Sequence, residues 1–185
     1  PFQDPHRINH DLISIFLRYP DFNFEIGVNV NHPIEFWDES IDAIKKLKEI
    51  GITIYNQHPL LKGVNDKLET LTALYEKLRE NRIEAHYMFH AIPLRGMGHH
   101  RTSLKKGLEL ANALSACGEM SGRSKPKFAV LSDIGKIVLY QDSILKRRNK
   151  DNSVLLQSAF NYEDRKRWVA SDSIPKGAEV DENGF

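Results

Sequence analysis

Apolar residues recur along this chain in two periods, three-to-four and two, and the switches between them mark its elements. After Asn9, the residues Leu12, Ile13, Phe16 and Leu17 share a helical face that Tyr19-Pro20 closes. Phe22 to Asn31 reads as a strand stopped by Asn31-His32-Pro33. Asp38 starts a helix that buries Ile41, Ile44, Leu47 and Ile50 and ends at Gly51. Ile52 to Gln57 is a short strand rich in β-branched residues. The loop QHPLLKGVND then leads to a helix capped by Asn65 or Asp66, with Leu68, Leu71, Leu74 and Leu78 at helical spacing. Glu84 to His90 is the next strand. Thr102 or Ser103 caps a third long helix, with Leu104, Leu108, Ala111 and Leu114, ending near Gly118; Lys127 to Leu131 is a further strand.

Strand and helix thus alternate four times, with crossovers too long for hairpins. The pattern predicts an α/β fold: a mostly parallel sheet with covering helices. A doubly wound sheet and part of a (β/α) barrel both fit, and both collect ligands at the carboxyl ends of the strands. Those ends are Asn29 to His32, Asn56 to His58, His90 to Leu94 and Leu131 to Lys136. From Ile134 the pattern changes, and FAVLSDIGKIVLYQ reads as two strands around a tight turn at Asp133-Ile134-Gly135. KRRNKDN is most simply a solvated loop, and the stretch from Tyr162, through YEDRKRW and Pro175, reads as a tail needing a partner surface. The expected organisation is an α/β body over residues 1–145 and an extension or tail over 146–185.

Composition narrows the function classes. With 26 basic and 25 acidic residues the formal net charge is +1, so bulk charge selects neither nucleic acid nor an anionic membrane. No apolar run approaches the roughly 20 residues that span a bilayer, and the start lacks a signal-peptide pattern, so the chain is expected in the cytoplasm. Cys117 is the sole cysteine, which excludes an internal disulfide framework and cannot by itself make a thiolate metal site. The chain begins PFQDP without a methionine, which suggests a piece of something longer.

The stretch HYMFHAIPLRGMGHHRT, His86 to Thr102, concentrates candidate chemistry: four of eight histidines lie on a glycine-bent loop between a strand and a helix. His86 and His90, an even distance apart, are expected on one side of their strand, and with His99, His100, His32 and His58 nearby a His-rich metal site is conceivable. Against it, no HxH or HExxH spacing occurs, and packing accounts for most strand histidines. Gly96-Met97-Gly98 before a helix offers backbone donors to a phosphate, with charge from Arg95 and Arg101, although no GxGxxG or Walker A fingerprint is present. Lys136, directly after Gly135, is either a Schiff-base lysine at a strand end or a solvated hairpin lysine.

Several co-linear motifs then carry a resemblance. NQHPLLKGVND resembles the NQxxLLxGxND run of the lysine 2,3-aminomutase family of radical S-adenosylmethionine enzymes. Asn31-His32-Pro33 is similar to that family's NHP strand end, RGMGHHRT to its GHFRT loop, and Gly135-Lys136-Ile137 to its GKIP segment, over roughly Pro5 to Leu156. The resemblance implies part of a crescent-shaped, TIM-like (β/α) partial barrel serving a 4Fe-4S cluster, S-adenosylmethionine and pyridoxal phosphate. It implies an isomerase in which an amino group migrates from C2 to C3 of a small amino acid substrate. It implies that Asn29, Asn56 and Gln57 line the S-adenosylmethionine pocket, that Gly96, Gly98 and Arg101 shape the active-site rim, and that Lys136 holds pyridoxal phosphate. The family's CxxxCxxC cluster motif is absent, so the chain is expected to be the C-terminal half of such an enzyme, with an open strand edge that favours a homo-oligomer. The resemblance further implies that Ile92 occupies the place of one aspartate that binds the distal amine of lysine, with Asp133 in SDIGK the candidate for a second, so lysine as substrate is left open. Two other readings stand beside this one. One is a catalytically inert half-barrel binding pyridoxal phosphate or a nucleotide; the other is a hydrolase-type barrel using histidines and a divalent metal.

Overall fold

The structure, a computed structural model, describes residues 2–117, 121–133, 135–139, 145–148, 150, 153–156, 162–166, 174 and 177–180. The expected helix end at Gly118, the turn residue Ile134, and the tail positions 167–173 and Pro175 lie outside the described residues. The chain divides into two compact units, Pro1–Lys127 and Phe128–Phe185.

In the first unit, helix α1 (His10–Leu17) is followed by β1 (Glu25–Val28), α2 (Asp38–Glu49), β2 (Thr53–Leu60), α3 (Leu68–Glu80), β3 (Glu84–His90) and α4 (Leu104–Ala116). β2 pairs in parallel with β1 on one side and β3 on the other, from Glu25↔Thr53 to Val28↔Asn56 and from Tyr55↔Glu84 to Leu60↔His90. Consecutive strands advance in one direction, the winding that a (β/α) barrel repeats around its circumference. The fold is α/β, a parallel sheet with covering helices, as the alternating periods predict.

The strand β2 shows why one face is covered. Its exposure alternates, so Ile54, Asn56, His58 and Leu60 are buried while Tyr55, Gln57 and Pro59 are half-buried. The helices supply the other half of that core through Ala43, Ile44 and Leu47 of α2, Leu71, Leu74, Tyr75 and Leu78 of α3, and Leu110 and Leu114 of α4. Each large apolar side chain removed from water there is worth about 1.5–3 kcal/mol. α1 contributes least: none of its residues is buried, and Leu17, expected on an apolar face, is exposed.

Several local expectations are corrected. β2 runs on through His58-Pro59-Leu60, which the pattern assigns to a loop. Pro59 is tolerated because pairing with β1 ends at Asn56, so a missing N–H on that side breaks no ladder bond. Lys67, not Asn65 or Asp66, stands at the N-cap of α3. Asp66 instead accepts from the Gly63 N–H (2.9 Å). Ser103 does cap α4, accepting from the Lys106 N–H at 3.1 Å.

In the second unit, β4 (Lys127–Ser132) and β5 (Gly135–Val138) form an antiparallel hairpin with Ser132 opposite Gly135 and Leu131 opposite Lys136. Gly135 has φ +120°, and its carbonyl accepts from the Ser132 hydroxyl at 2.9 Å. β6 (Leu145–Arg148) and β7 (Val154–Leu156) form a second antiparallel pair, so the start of the KRRNKDN stretch is strand, not loop. A short α5 spans Tyr162–Arg165.

Candidate functional site

The uncovered face of the first sheet carries Glu25, Gly27 and Asn29 from β1 and the residue after it, Tyr55, Gln57 and Pro59 from β2, and Tyr87 and Phe89 from β3. Gln57 is opposite Tyr87, and Pro59 opposite Phe89. The Tyr87 and Phe89 rings stack with centroids 5.2 Å apart, and Tyr55 meets the His86 ring edge-on at 5.1 Å. A Cβ at Gly27 would lie 3.0 Å from the Tyr55 ring, so a larger residue there would need that ring to shift. Aromatic surface with two carboxamides, Asn29 and Gln57, near the carboxyl ends of parallel strands suits a planar, hydrogen-bonding ligand.

His86 and His90 do not share this face. A register shift between Asn56 and Gln57 leaves three residues of β3, Ala85 to Tyr87, beside two of β2, and breaks the even-spacing argument. His90 consequently pairs with the buried Leu60 on the helix side. Its Nε2 lies 2.9 Å from the Thr102 carbonyl, and burial, with the nearby charge of Arg101, holds its pKa below the usual value. Among the described residues no group of three or more His, Cys, Asp or Glu could hold a metal ion.

Beneath the open face lies a buried polar knot that sequence reasoning missed. The Asn56 carboxamide accepts from the Val30 N–H (2.8 Å) and donates to the Val30 carbonyl (3.1 Å). Asn56 is 1% exposed, so its amide ties β2 to the residues after β1 and offers no atom to the open face. Asn65 accepts from the Leu61 N–H (2.7 Å) and donates to the carbonyls of Asn31 (2.9 Å) and Pro59 (3.1 Å). His58 is fully buried between the Pro59 carbonyl (3.1 Å from Nδ1) and the Tyr75 hydroxyl (2.7 Å from Nε2). Burial drives its pKa down to about 4, a pull the Pro59 hydrogen bond only partly opposes, so the ring is neutral. Burial likewise pushes the Tyr75 phenol well above its usual value. His32 begins the 3-10 turn Pro33–Glu35, accepting from the Ile34 N–H (3.2 Å), while Glu35 accepts from the Asn31 and His32 N–H groups (2.7 and 2.9 Å). The NHP and NQHPLLKGVND residues thus mainly fix the strand ends. A signal was available: polar residues at alternating positions of an otherwise apolar strand demand buried partners.

The loop after β3 closes over the end of β2. Leu61 and Arg101 form an antiparallel bridge, and the Lys62 N–H donates to the His100 carbonyl (2.8 Å). Arg101 Nε donates to the Ala91 carbonyl (2.9 Å), which brings the guanidinium to the carboxyl ends of β2 and β3. Gly96 has φ +82°, a left-handed conformation that favours glycine, whereas Gly98 has open space and no such constraint. Ile92, Leu94 and Met97 are exposed along this rim. In the second unit, Lys136 is half-buried one residue past the hairpin turn.

Sequence comparison identifies relatives. The L-lysine 2,3-aminomutase of Methanococcus maripaludis is 35% identical over 126 residues, covering 68% of this chain and 28% of the relative. That of Bacillus subtilis is 31% identical over 149 residues, covering 80% of this chain and 31% of the relative. The glutamate 2,3-aminomutase of Clostridioides difficile is 31% identical over 126 residues, covering 68% and 29%. The chain therefore spans under a third of the length of these curated relatives. No protein-family model matches it. A solved radical SAM methyltransferase from Sphaerobacter thermophilus is similar over 64% of this chain and 38% of its own, with a TM-score of 0.44 and 18% identity. On the sequence matches, along the residues they cover, this chain belongs to the lysine 2,3-aminomutase family.

Proposed function

We propose that this chain is the portion of a radical S-adenosylmethionine amino acid 2,3-aminomutase that presents the open sheet face to its cofactors. The observation that carries the reading is the agreement of two independent features. An aminomutase matches this chain over 68% of its length, and the first unit builds an open sheet face carrying Asn29, Gln57, Tyr87 and Phe89. In this reading Gln57 and Asn29 hydrogen-bond S-adenosylmethionine, the Tyr87–Phe89 stack excludes water, and the Asn65 and Asn56 knots hold the carboxamides at a fixed separation. When bound, S-adenosylmethionine supplies the hydrogen-abstracting radical, and pyridoxal phosphate holds the amino group that moves.

The residues present fit these groups unequally. The open face suits an adenosyl group, and a half-buried lysine beside a hairpin turn, Lys136, suits a carbonyl cofactor. A 4Fe-4S cluster does not fit this chain, which has one cysteine where three are needed. Its ligands are assigned to a further stretch of polypeptide carrying CxxxCxxC. Exposed Ile92 on the rim favours a substrate without a cationic side chain.

The test is anaerobic isolation of the protein from its native cells, with iron, sulfide and visible absorbance measured together, followed by assay against a panel of amino acids including lysine and glutamate. A 3-amino acid product in an iron- and sulfide-bearing preparation is expected. Ligand binding with no iron would favour the inert half-barrel.

A further inference from the structure

We propose that a cleft at the amino ends of the strands, between α3, β3 and the turn Gly122–Ser124, binds a small α-amino acid. Its floor is apolar and closed: Tyr75 and Leu78 of α3 and Ile83 before β3 are at most 3% exposed. Its walls carry three charges, Arg79 in the last turn of α3, Glu84 at the start of β3, and Arg123. The cleft has a volume of about 50 Å³, the room of roughly four ordered waters at about 10–15 Å³ each, which matches a ligand of about five non-hydrogen atoms. β3 runs roughly 20 Å from Glu84 to the end that carries the candidate site, so the two places are separate.

The charges decide the class of ligand. A guanidinium matches a carboxylate with paired hydrogen bonds, and a carboxylate accepts from an ammonium. Two cations and one anion lining one cleft fit a zwitterion better than an anion, which Glu84 would repel, or a cation, which Arg79 and Arg123 would repel. These charges are open to a ligand. Arg123 Nη2 and Glu84 Oε1 stand 3.9 Å apart with side chains 85% and 61% exposed, a loose pair that a ligand parts at little cost. Among the described residues no carboxylate forms a salt bridge with Arg79. Lys48, which donates to the Arg82 carbonyl, lies near enough to be attracted by Glu84, yet no salt bridge joins them. The carbonyl dipoles at the end of α3 account for a cation at Arg79 but not for an acid beside it. The inference goes beyond the proposed function and does not depend on it.

The 185-residue chain, labelled with ¹⁵N, is titrated with glycine, acetate and methylammonium, which carry both charged groups, the carboxylate alone and the ammonium alone. In NMR spectra the amides of Ala85 and Ser124 report the cleft, and that of Gln57 reports the open sheet face. Glycine is expected to shift Ala85 and Ser124 saturably, acetate to bind about tenfold more weakly, and methylammonium to leave both unmoved. Glu84→Gln should bring glycine down to the affinity of acetate without weakening acetate, and Arg79→Gln should weaken both about tenfold. Equal affinity for glycine and acetate, or glycine binding unchanged in either variant, overturns the proposal. So does the absence of a saturable shift at tens of millimolar glycine, or shifts confined to Gln57. Both substituted side chains belong to exposed residues; should a variant still fail to fold, the three ligands compared on the wild type decide alone. Because no turnover is read, loss of the aminomutase reading leaves a positive result standing, and a negative one leaves that reading untouched.

Discussion

Replacing Asn65 should unfasten the strand ends more than any exposed change on the rim. Its carboxamide is fully buried and serves the Leu61 N–H and the carbonyls of Asn31 and Pro59, at 2.7, 2.9 and 3.1 Å. Each hydrogen bond is worth about 1 kcal/mol net, and a buried partner left unpaired costs about 1–3 kcal/mol. Because Leu61 and Pro59 lie next to the surface and recover some hydration, Asn65→Ala should cost about 3–4 kcal/mol. Asn65→Asp keeps the acceptor for Leu61 but turns a carboxylate toward two carbonyl oxygens. It should therefore be as damaging as alanine at pH 7 and should recover toward wild type once protonated, when one carboxyl proton can again donate. Urea unfolding followed by circular dichroism at pH 7 and 4, with wild type as reference at each pH, measures both. Amide exchange at Leu61 reports the local opening. An Asn65→Ala loss below 1 kcal/mol, or an aspartate variant much milder than alanine at pH 7, would refute the reasoning.

Other outcomes follow from the same geometry. The folded state holds His58 neutral down to about pH 4 while the unfolded chain binds a proton near 6.5. Stability is thus full above pH 6.5, falls by about 3 kcal/mol as pH drops to about 4, and levels off below. His58→Gln should lose this component of the slope in pH-dependent unfolding. Neighbours Asn56 and Gln57 should separate cleanly: Asn56→Ala lowers stability by about 2–3 kcal/mol, whereas Gln57→Ala leaves the melting temperature alone and weakens S-adenosylmethionine binding by calorimetry. Gly96→Ala should cost about 1 kcal/mol or more through its positive φ, and Gly98→Ala close to nothing, both read by thermal melting.

What the sequence makes legible is set by how local the cause is. β3 lies at Glu84–His90, as read, because its apolar run is bounded on both sides by turns. The hairpin around Gly135 is legible for the same reason. The pattern ends β2 at Gln57 because Pro59 normally stops a strand, and the early end of the β1 pairing at Asn56 makes the proline tolerable. The shared face expected for His86 and His90 fails on a single extra residue of β3, which no periodicity reveals. The buried roles of Asn56, His58 and Asn65 were hidden because their partners Val30, Tyr75 and Asn31 come from other elements. Of the candidate site, the place near the strand ends follows from pattern, while Gln57, read as the end of its strand, lies three residues inside β2, and the Tyr87–Phe89 stack needs the three-dimensional register.

The most direct test of the central claim follows the migrating nitrogen. The protein isolated anaerobically from its native cells is reduced and supplied with S-adenosylmethionine, pyridoxal phosphate and amino acids labelled with ¹⁵N at C2, and the label is located by NMR. The account predicts ¹⁵N bonded to C3 of one amino acid, with the label retained in the product. Label that stays on C2 for every amino acid, or that is released as ammonia, would contradict it.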